Sequence, residues 1–290
     1  MTATSAGSGP PAMESWEEGQ LAALEVVEAA LPAPVTEGIV LEAVDIHVSF
    51  GGVRALQGAS MRIPAGTIVG LIGPNGSGKS TFFDVINGFT IPDSGQVRAF
   101  GRDVTDMNPW HRARLGMCRT FQANHIDPNL TVFENLITGA VLSISGGVLT
   151  SVFQFPKSRR DQQQAAELTR AVARLIDLER VLDVRAGVLS FGGQRRAEIG
   201  RSIMSRPRLL LLDEPSAGMD SQEAGGLLRL VTRLQSDLGF AVCLIEHFVR
   251  IVFDHCSIVY ALAEGQVIAE GTPDEVSNSK AAQEHYLGEQ

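Results

Sequence analysis

The sequence contains few cysteines, and they show no pattern typical of a disulfide framework or a metal site. The three cysteines, Cys118, Cys243 and Cys256, are far apart along the chain. Neither a disulfide-rich secreted fold nor a cysteine-bound metal is compatible with such spacing. We therefore expect three reduced and buried thiols in a protein of a reducing compartment.

Positive charge is also scarce, and no lysine or arginine precedes Arg54. A secretory signal begins with a basic segment, so none is expected at this N-terminus. Over the whole chain, 33 acidic residues face 24 basic ones, which gives a formal net charge of −9. This excess of negative charge argues against a protein that binds nucleic acid through a basic surface.

Long apolar stretches are missing as well. The longest uncharged run of the main body covers 22 residues, from Asn135 to Pro156, which is long enough to cross a bilayer. Glycine and polar side chains interrupt this run, so a buried or partner-facing helix with a glycine break is favoured. If the protein works at a membrane, another chain must supply the spanning segments.

Residues 1–38 differ in composition from the rest. They hold six glutamates and no basic residue, and residues 1–11 are rich in serine, glycine, alanine and proline, which predicts disorder. Apolar residues then recur at nearly helical spacing: Trp16, Leu21, Leu24, Val27 and Leu31. We predict a flexible acidic extension with a short amphipathic helix, either idle or docked on a neighbouring surface, of which the idle state is favoured.

From residue 39 onward, strand-like and helix-like segments alternate, which predicts a parallel sheet with helices on its faces. Polar strands and turns are expected over 95–103, and a mostly helical stretch over about 108–190. The apolar strands are expected at Ile39–Phe50, Ala55–Ile63, Thr67–Ile72, Leu209–Leu212 and Ala241–Ile245.

Residues 73–80 match the pattern G-x-x-x-x-G-K-[ST], between an apolar strand and a predicted helix over Ser80–Ile86. In such a loop, glycines let backbone amides wrap around phosphate oxygens at a helix N-terminus. Lys79 would contact the β- and γ-phosphates, and the Ser80 hydroxyl would ligate Mg²⁺. A plain glycine-rich turn is the alternative. The candidate nucleotide-binding residues here are Gly73, Pro74, Asn75, Gly76, Ser77, Gly78, Lys79, Ser80 and Thr81.

The strand Leu209–Leu212 ends in two carboxylates, Asp213 and Glu214. A buried strand explains the leucines, but it does not explain this acidic pair. In phosphoryl-transfer sites one carboxylate orders the Mg²⁺ shell, which suits Asp213. The next can polarise the attacking water, which suits Glu214. A helix cap is the alternative for the pair.

The segment Leu189-Ser190-Phe191-Gly192-Gly193 precedes these acids and resembles the signature L-S-G-G-Q of ATP-binding-cassette (ABC) ATPases. Phe191 replaces a glycine and Gly193 replaces the glutamine. The aromatic residue and the following R-R-x-E-I run resemble the ATPase subunits of branched-chain amino acid importers. Ser190 would begin a helix, so its hydroxyl and the free amides of residues such as Gly192 and Gly193 would form an anion site.

Three further positions resemble family motifs. Phe50 resembles the aromatic residue that stacks on adenine, with a strand core residue as the alternative. Gln122 resembles the glutamine that senses Mg²⁺ or water and links to the transporter, with an exposed loop amide as the alternative. His247, after the strand Ala241–Ile245, resembles the switch histidine that contacts the γ-phosphate and orients Glu214 and the water, with a structural histidine as the alternative.

The resemblance covers residues 39–290 and implies an α/β P-loop NTPase fold. Its parts would be a RecA-like core, an antiparallel β subdomain and a helical subdomain over about 108–190 that carries the signature. Because one chain offers its own signature no phosphate, the family resemblance implies a head-to-tail pair of cassettes that encloses two ATP molecules.

The function implied by the resemblance is ATP hydrolysis that powers a membrane transporter. Import of branched-chain amino acids or a related solute is the first reading, and export of another substrate such as a lipid is the second. A nucleotide-controlled binding module is the third. The implied partners are transmembrane permease subunits and a second cassette, with the protein peripheral to the cytoplasmic face of the cell membrane and not bound to nucleic acid.

Overall fold

The computed structural model describes residues 17–120, 126–140 and 159–284, with side chains from residue 162 onward in the last range. Within these ranges the chain forms two sheets and a set of surrounding helices. The strands are β1 Ile39–Phe50, β2 Val53–Pro64, β3 Ile68–Ile72, β4 Ser94–Ala99, β5 Arg102–Asp103, β6 Met117–Thr120, β7 Leu209–Asp213, β8 Ala241–Ile245, β9 Ile258–Ala263 and β10 Gln266–Gly271.

Helices connect and cover the two sheets. Short 3₁₀ turns at Glu179–Val181 and Ala186–Val188 precede the signature segment. The helices are α1 Glu18–Ala30, α2 Lys79–Asn87, α3 Pro109–Arg114, α4 Val132–Gly139, α5 Arg159–Leu175, α6 Phe191–Met204, α7 Ser221–Leu238, α8 Val249–His255, α9 Pro273–Ser277 and α10 Lys280–Ala282.

The central sheet has the strand order β10-β9-β3-β8-β7-β6. Its strands pair in parallel from β9 to β6, and β10 joins β9 in the antiparallel sense. Every residue of β3, β7 and β8 is buried, as expected for parallel strands with both faces covered. The predicted parallel sheet with helices on its faces is thus confirmed.

Alternate residues of the central strands feed two separate apolar cores. Leu210 and Leu212 pack on the side of the helices α4 to α7, whereas Leu209 and Leu211 pack on the side of α2 and the second sheet. The second sheet is antiparallel, with the order β2-β1-β4-β5, as expected for the β subdomain. Because the carboxyl ends of β3, β7 and β8 lie at one edge of the central sheet, residues that follow them meet there.

Two segments differ from the expectations. Met117–Thr120, within the stretch expected to be mostly helical, is the edge strand β6 of the central sheet. The helix α1 is not idle, because its side chains Ala23 and Val27 are buried against the core that includes α5. The predicted disorder of residues 1–11 lies outside the described residues, as does most of the uncharged run 135–156.

Among the helices of the described ranges, none combines the length and the apolar character needed to cross a bilayer.

Candidate functional site

The loop 73–80 leaves β3 and enters α2, as its sequence pattern predicts. Its backbone is held close to neighbouring strands, because a side chain at Gly73 would meet the Leu262 carbonyl oxygen at 2.2 Å. Gly78 adopts a φ of 104°, and a Cβ there would lie 2.6 Å from the carbonyl oxygen of Ala55. These glycines are required by close approach and by left-handed backbone geometry. Replacing either would shift the loop itself.

Lys79 is buried, and its ammonium lies over the loop that precedes it. Nζ donates to the carbonyl oxygens of Gly73 at 2.8 Å and Pro74 at 2.9 Å. Burial lowers the pKa of Lys79, while the charges of Glu214 and Asp213 act in the opposite direction. Lys79 therefore interacts electrostatically with both carboxylates that follow β7, close to the loop. Phosphate oxygens entering the loop would take over the hydrogen bonds that the carbonyls now accept.

Asp213 ends β7 and is almost completely buried. Its Oδ2 accepts a hydrogen bond from Arg119 Nη2 at 2.7 Å, whereas Oδ1 is buried and has no hydrogen-bond partner among the described residues. Burial raises the pKa of Asp213, and Arg119 opposes that shift. A buried carboxylate oxygen without a partner is costly unless a ligand contacts it.

These features fit Mg²⁺, which prefers oxygen ligands and is commonly held by one or two protein groups together with substrate phosphates. Asp213 Oδ1 and the exposed Ser80 hydroxyl are suitable donors at the two sides of the site. Groups of three or more His, Cys, Asp or Glu side chains able to hold a metal do not occur within 17–120, 126–140 and 159–284. A metal here would depend on phosphate oxygens to complete its shell.

Glu214 follows directly and adopts a left-handed backbone conformation, with a φ of 48°. Its amide donates to the Ile245 carbonyl oxygen at 3.0 Å, which fixes this turn to the end of β8. From the β8 side, His247 Nε2 lies 2.7 Å from Glu214 Oε1. The sequence separates these two residues by 33 positions, and the adjacent parallel strands bring them together. Strained backbone at a non-glycine residue often marks a functional position.

Two side chains at this edge were not among the residues singled out from the sequence. Arg119 projects from β6 onto Asp213, and Glu246 Oε1 accepts a hydrogen bond from the Ser216 amide at 2.9 Å. Burial raises the pKa of Glu246. Each residue does lie close to a recognised one in the sequence, since Glu246 precedes His247 directly and Arg119 comes three residues before Gln122. Their closeness in sequence to Gln122 and His247 could have pointed to Arg119 and Glu246. Their contacts could not be predicted, because these depend on the order of the strands in the sheet.

The signature segment lies elsewhere on the chain. Ser190 caps α6, and its Oγ accepts a hydrogen bond from the Gly193 amide at 3.2 Å. A Cβ at Gly192 would meet nothing within 4 Å, so this turn opens to its surroundings. The groove beside it, of about 310 Å³, is lined by Ser190, Gly192 and Gly193 together with Asp177, Arg196, Met219, Glu223 and Leu227. Residues of the phosphate loop do not line that groove.

The remaining predicted positions are separated as well. Phe50 ends β1 with its ring 54% exposed, on the hairpin that leads into β2. Because Ala55 of the same hairpin packs on Gly78, the ring lies on the strand pair that borders the phosphate loop. This exposure does not fit the alternative, in which Phe50 would be a buried core residue of the strand. Gln122 lies outside the described residues.

The chain is similar in sequence to known proteins. The family described as ABC transporter matches residues 56–217, and the family described as branched-chain amino acid ATP-binding cassette transporter matches residues 266–290. The high-affinity branched-chain amino acid transport ATP-binding protein BraF of Pseudomonas aeruginosa is 34% identical over 251 residues, which is 86% of this chain and 98% of BraF. The resemblance inferred from the motifs is confirmed.

Solved structures agree with the fold. A crystal structure of a nucleotide-free ATP-binding cassette from an ABC transporter has a TM-score of 0.75 at 32% identity, covering 87% of this chain and 100% of that one. The ADP conformation of such a cassette has a TM-score of 0.74 at 32% identity and the same coverage. The predicted P-loop NTPase fold is confirmed, and this chain belongs to the ABC transporter family, as one of its ATP-binding cassettes.

Proposed function

We infer that this protein is the ATP-hydrolysing subunit of an importer for branched-chain amino acids or a related solute. The observation that carries the hydrolytic part is the pairing of Glu214 with His247, 2.7 Å apart, beside the lysine of the phosphate loop. A cassette that only bound nucleotide would need neither side chain. The solute class rests on the name of BraF and on the family matched by residues 266–290.

The phosphates of ATP would lie in the loop 73–80, where backbone amides and Lys79 bind them. Phe50 would stack on the adenine. Asp213 and Ser80 would hold Mg²⁺, with Gln122 contributing from the segment after β6. When bound, Mg²⁺ would neutralise phosphate charge and align the γ-phosphate for in-line attack.

Glu214 would act on the attacking water. Its carboxylate lies at the carboxyl end of β7, past Asp213. A water placed between it and the γ-phosphate could transfer a proton to Oε1 while its oxygen bonds to the γ-phosphorus, and the bond from that phosphorus to the bridging oxygen would break to release ADP. His247 contacts the same oxygen and fixes the carboxylate in that orientation. Together with Lys79, this histidine would also donate to oxygens of the γ-phosphate.

The open signature turn completes the site of a second cassette. Ser190, Gly192 and Gly193 offer a hydroxyl and a helix N-terminus away from the phosphate loop of their own chain. A head-to-tail pair would bring each signature onto the partner's nucleotide. Binding of two ATP molecules would then close the pair, and hydrolysis would reopen it.

A second groove suits the permease. It measures about 450 Å³, and it is lined by residues of α2, α3, β6, α4 and α6, among them Phe89, Trp110, Met117, Thr138 and Arg201. Phe89 is 53% exposed, so an apolar helix of another chain could bury its ring. Because β6 borders this groove and carries Arg119, movement there would reach the hydrolytic centre. The cassette would lie at the cytoplasmic face of the cell membrane as a peripheral subunit.

The test of hydrolysis is Glu214→Gln, with the exposed α5 glutamate in Glu167→Gln as the matched control. We expect turnover to fall by about 10²- to 10⁴-fold in the first variant, because the general base is lost, while ATP remains bound. The control should hydrolyse ATP like the wild type. Normal turnover in Glu214→Gln would contradict the assignment of Glu214 as the general base. A Lys79→Ala variant that still binds ATP tightly would contradict the assignment of residues 73–80 as the phosphate-binding loop.

The solute is tested separately, in proteoliposomes that contain the cassette and its co-purifying permease. ATP-dependent uptake of labelled leucine, abolished by Glu214→Gln, is the expected result. Outward movement of another substrate, or ATP hydrolysis that no branched-chain amino acid stimulates, would contradict the import assignment.

A further inference from the structure

Arg119 is the only arginine among the described side chains that joins two carboxylates of different elements at the hydrolytic edge. It lies on β6, in register with Leu211 of β7, and its side chain is 6% exposed. Nη2 donates to Asp213 Oδ2 at 2.7 Å, and Nη1 donates to Asp84 Oδ1 at 2.5 Å. The planar guanidinium suits such a bridge, since its donors point in fixed directions.

The two acids belong to the two halves of the nucleotide site. Asp84 lies on α2, five residues after Lys79, so it belongs to the helix that begins at the phosphate loop. Asp213 lies at the end of β7 and is the carboxylate expected to face Mg²⁺. Arg119 therefore joins the lysine-bearing helix to the metal-facing strand. The guanidinium carbon also lies 5.6 Å from the ring centroid of Phe83, another residue of α2.

The bridge also divides the oxygens of Asp213. Oδ2 is occupied by Arg119, and Oδ1 is the buried oxygen that no described residue contacts. A free carboxylate can rotate and offer either oxygen. With Oδ2 held at 2.7 Å, only Oδ1 can turn toward the nucleotide, so its direction is fixed before any ligand arrives.

Arg119 is also a neighbouring cation of this acidic centre. Burial raises the pKa of Asp213, and the nearby charges of Glu214 and Asp84 raise it further. The hydrogen bond and charge of Arg119 lower it. Losing the arginine would leave Asp84 and Asp213 without the cation that joins them.

We propose that Arg119, anchored by Asp84, is a positioning residue that directs Asp213 Oδ1 toward the metal of bound nucleotide. The proposal rests on the proposed function, since it requires the protein to bind ATP with Mg²⁺. It assigns Arg119 no contact with the nucleotide. The arginine acts through Asp213. Its loss should therefore weaken the binding of nucleotide in the presence of Mg²⁺ more than the binding of nucleotide in the absence of metal.

The experiment is a titration of a fluorescent ATP analogue in EDTA and then at increasing Mg²⁺, on the full chain. For Arg119→Gln we expect the Mg²⁺ concentration at half-saturation to rise by about 10- to 100-fold, which is typical when the partner of a metal ligand is removed. The affinity in EDTA should stay within about twofold of the wild type. Arg119→Lys should shift by less, because a single ammonium cannot hold both acids in the same geometry.

Two further variants separate positioning from folding. Asp84→Asn removes the anchor but keeps Asp213 and Arg119, and it should shift Mg²⁺ half-saturation in the same direction by a smaller factor. Arg112→Lys changes another fully buried arginine, whose contacts are backbone carbonyls near α2, and it should lower stability without moving Mg²⁺ half-saturation. If Arg119→Gln does not fold, the variants Arg119→Lys and Asp84→Asn still test whether Arg119 positions Asp213.

The outcomes are distinct. Unchanged Mg²⁺ half-saturation in folded Arg119→Lys and Asp84→Asn would overturn the positioning role, as would an equal shift in Arg112→Lys. A loss of affinity of the same size in EDTA would show that the arginine supports the loop rather than the metal. A wild-type protein whose nucleotide binding ignores Mg²⁺ would instead contradict the proposed function.

Discussion

The helix α1 offers a sharp test, because it lies outside the family region and yet docks on the domain. Val27 is completely buried, in the same core as Val172 and Leu175 of α5. Near the N-terminus of α1, Gln20 Nε2 donates to Asp177 Oδ1 at 3.0 Å, and the other oxygen of Asp177 accepts from Arg196 on α6 at 2.5 Å. The extension therefore reaches the loop that supports the signature helix.

The perturbation is Val27→Ala, with Leu21→Ala as its matched control on the same helix. Val27→Ala removes two methyl groups from a fully buried place, which costs about 0.8 kcal/mol each in transfer free energy, plus the term for the cavity. We expect a loss of about 2 kcal/mol in the stability of the docked helix. Leu21 is 49% exposed, so Leu21→Ala should cost less than about 0.5 kcal/mol.

The assay is native-state hydrogen exchange of the α1 amides, because a docked terminal helix can detach while the domain stays folded. A loss of about 2 kcal/mol corresponds to exchange faster by roughly 30-fold in Val27→Ala, from the factor of ten per 1.4 kcal/mol. Exchange in the central strands should not change. Equal protection of α1 in Val27→Ala and Leu21→Ala would refute the docking, and the idle helix would then be the correct description.

Two further predictions concern buried charge. Arg112→Ala should lower the unfolding free energy by about 3 kcal/mol or more, because its guanidinium donates to the Val85 and Ile86 carbonyls at the end of α2; a urea midpoint equal to that of the wild type would contradict this. Burial raises the pKa of Glu246 above 4.5, so the folded state binds more protons and the stability this group contributes falls as pH rises through that pKa. Glu246→Gln keeps the acceptor for the Ser216 amide and should flatten that decline in urea unfolding as the pH rises above 4.5; an unchanged slope would exclude the assignment.

The fold was largely predictable where a segment carries its own signal. Ile39–Phe50 and Ala241–Ile245 were predicted with the observed bounds, because their flanking turns and apolar runs are unambiguous. Met117–Thr120 and Ile258–Ala263 were missed as strands. The first is four residues long and lies between helices, and short apolar runs fit a buried helix as well as a strand. Pairing with neighbouring strands of the sheet determines that these segments are strands, and those neighbours are distant in sequence.

The candidate site was predictable to the extent that its parts are contiguous. The loop 73–80 and the pair Asp213-Glu214 are readable because the chemistry needs adjacent residues. The docking of α1 was not, since an amphipathic pattern states that a face will be buried but not against what. The bridge from Arg119 to Asp84 and Asp213 depends on three separate elements. The roles of all the candidate site residues, in the loop 73–80, at the strand ends and in the signature, remain predictions.

Under the proposed function, the charges at the strand ends should make nucleotide binding depend on a metal ion. Among the described side chains, Lys79 and Arg119 bring positive charge to this centre, and Asp84, Asp213 and Glu214 bring negative charge. Phosphate oxygens that enter the loop would add negative charge beside these three carboxylates. The loop amides and Lys79 offset part of it, but Lys79 is itself shared with the two strand-end carboxylates. A divalent cation on Asp213 Oδ1 would reverse the local balance, so the side chain that aims this oxygen should set how strongly nucleotide binding depends on metal.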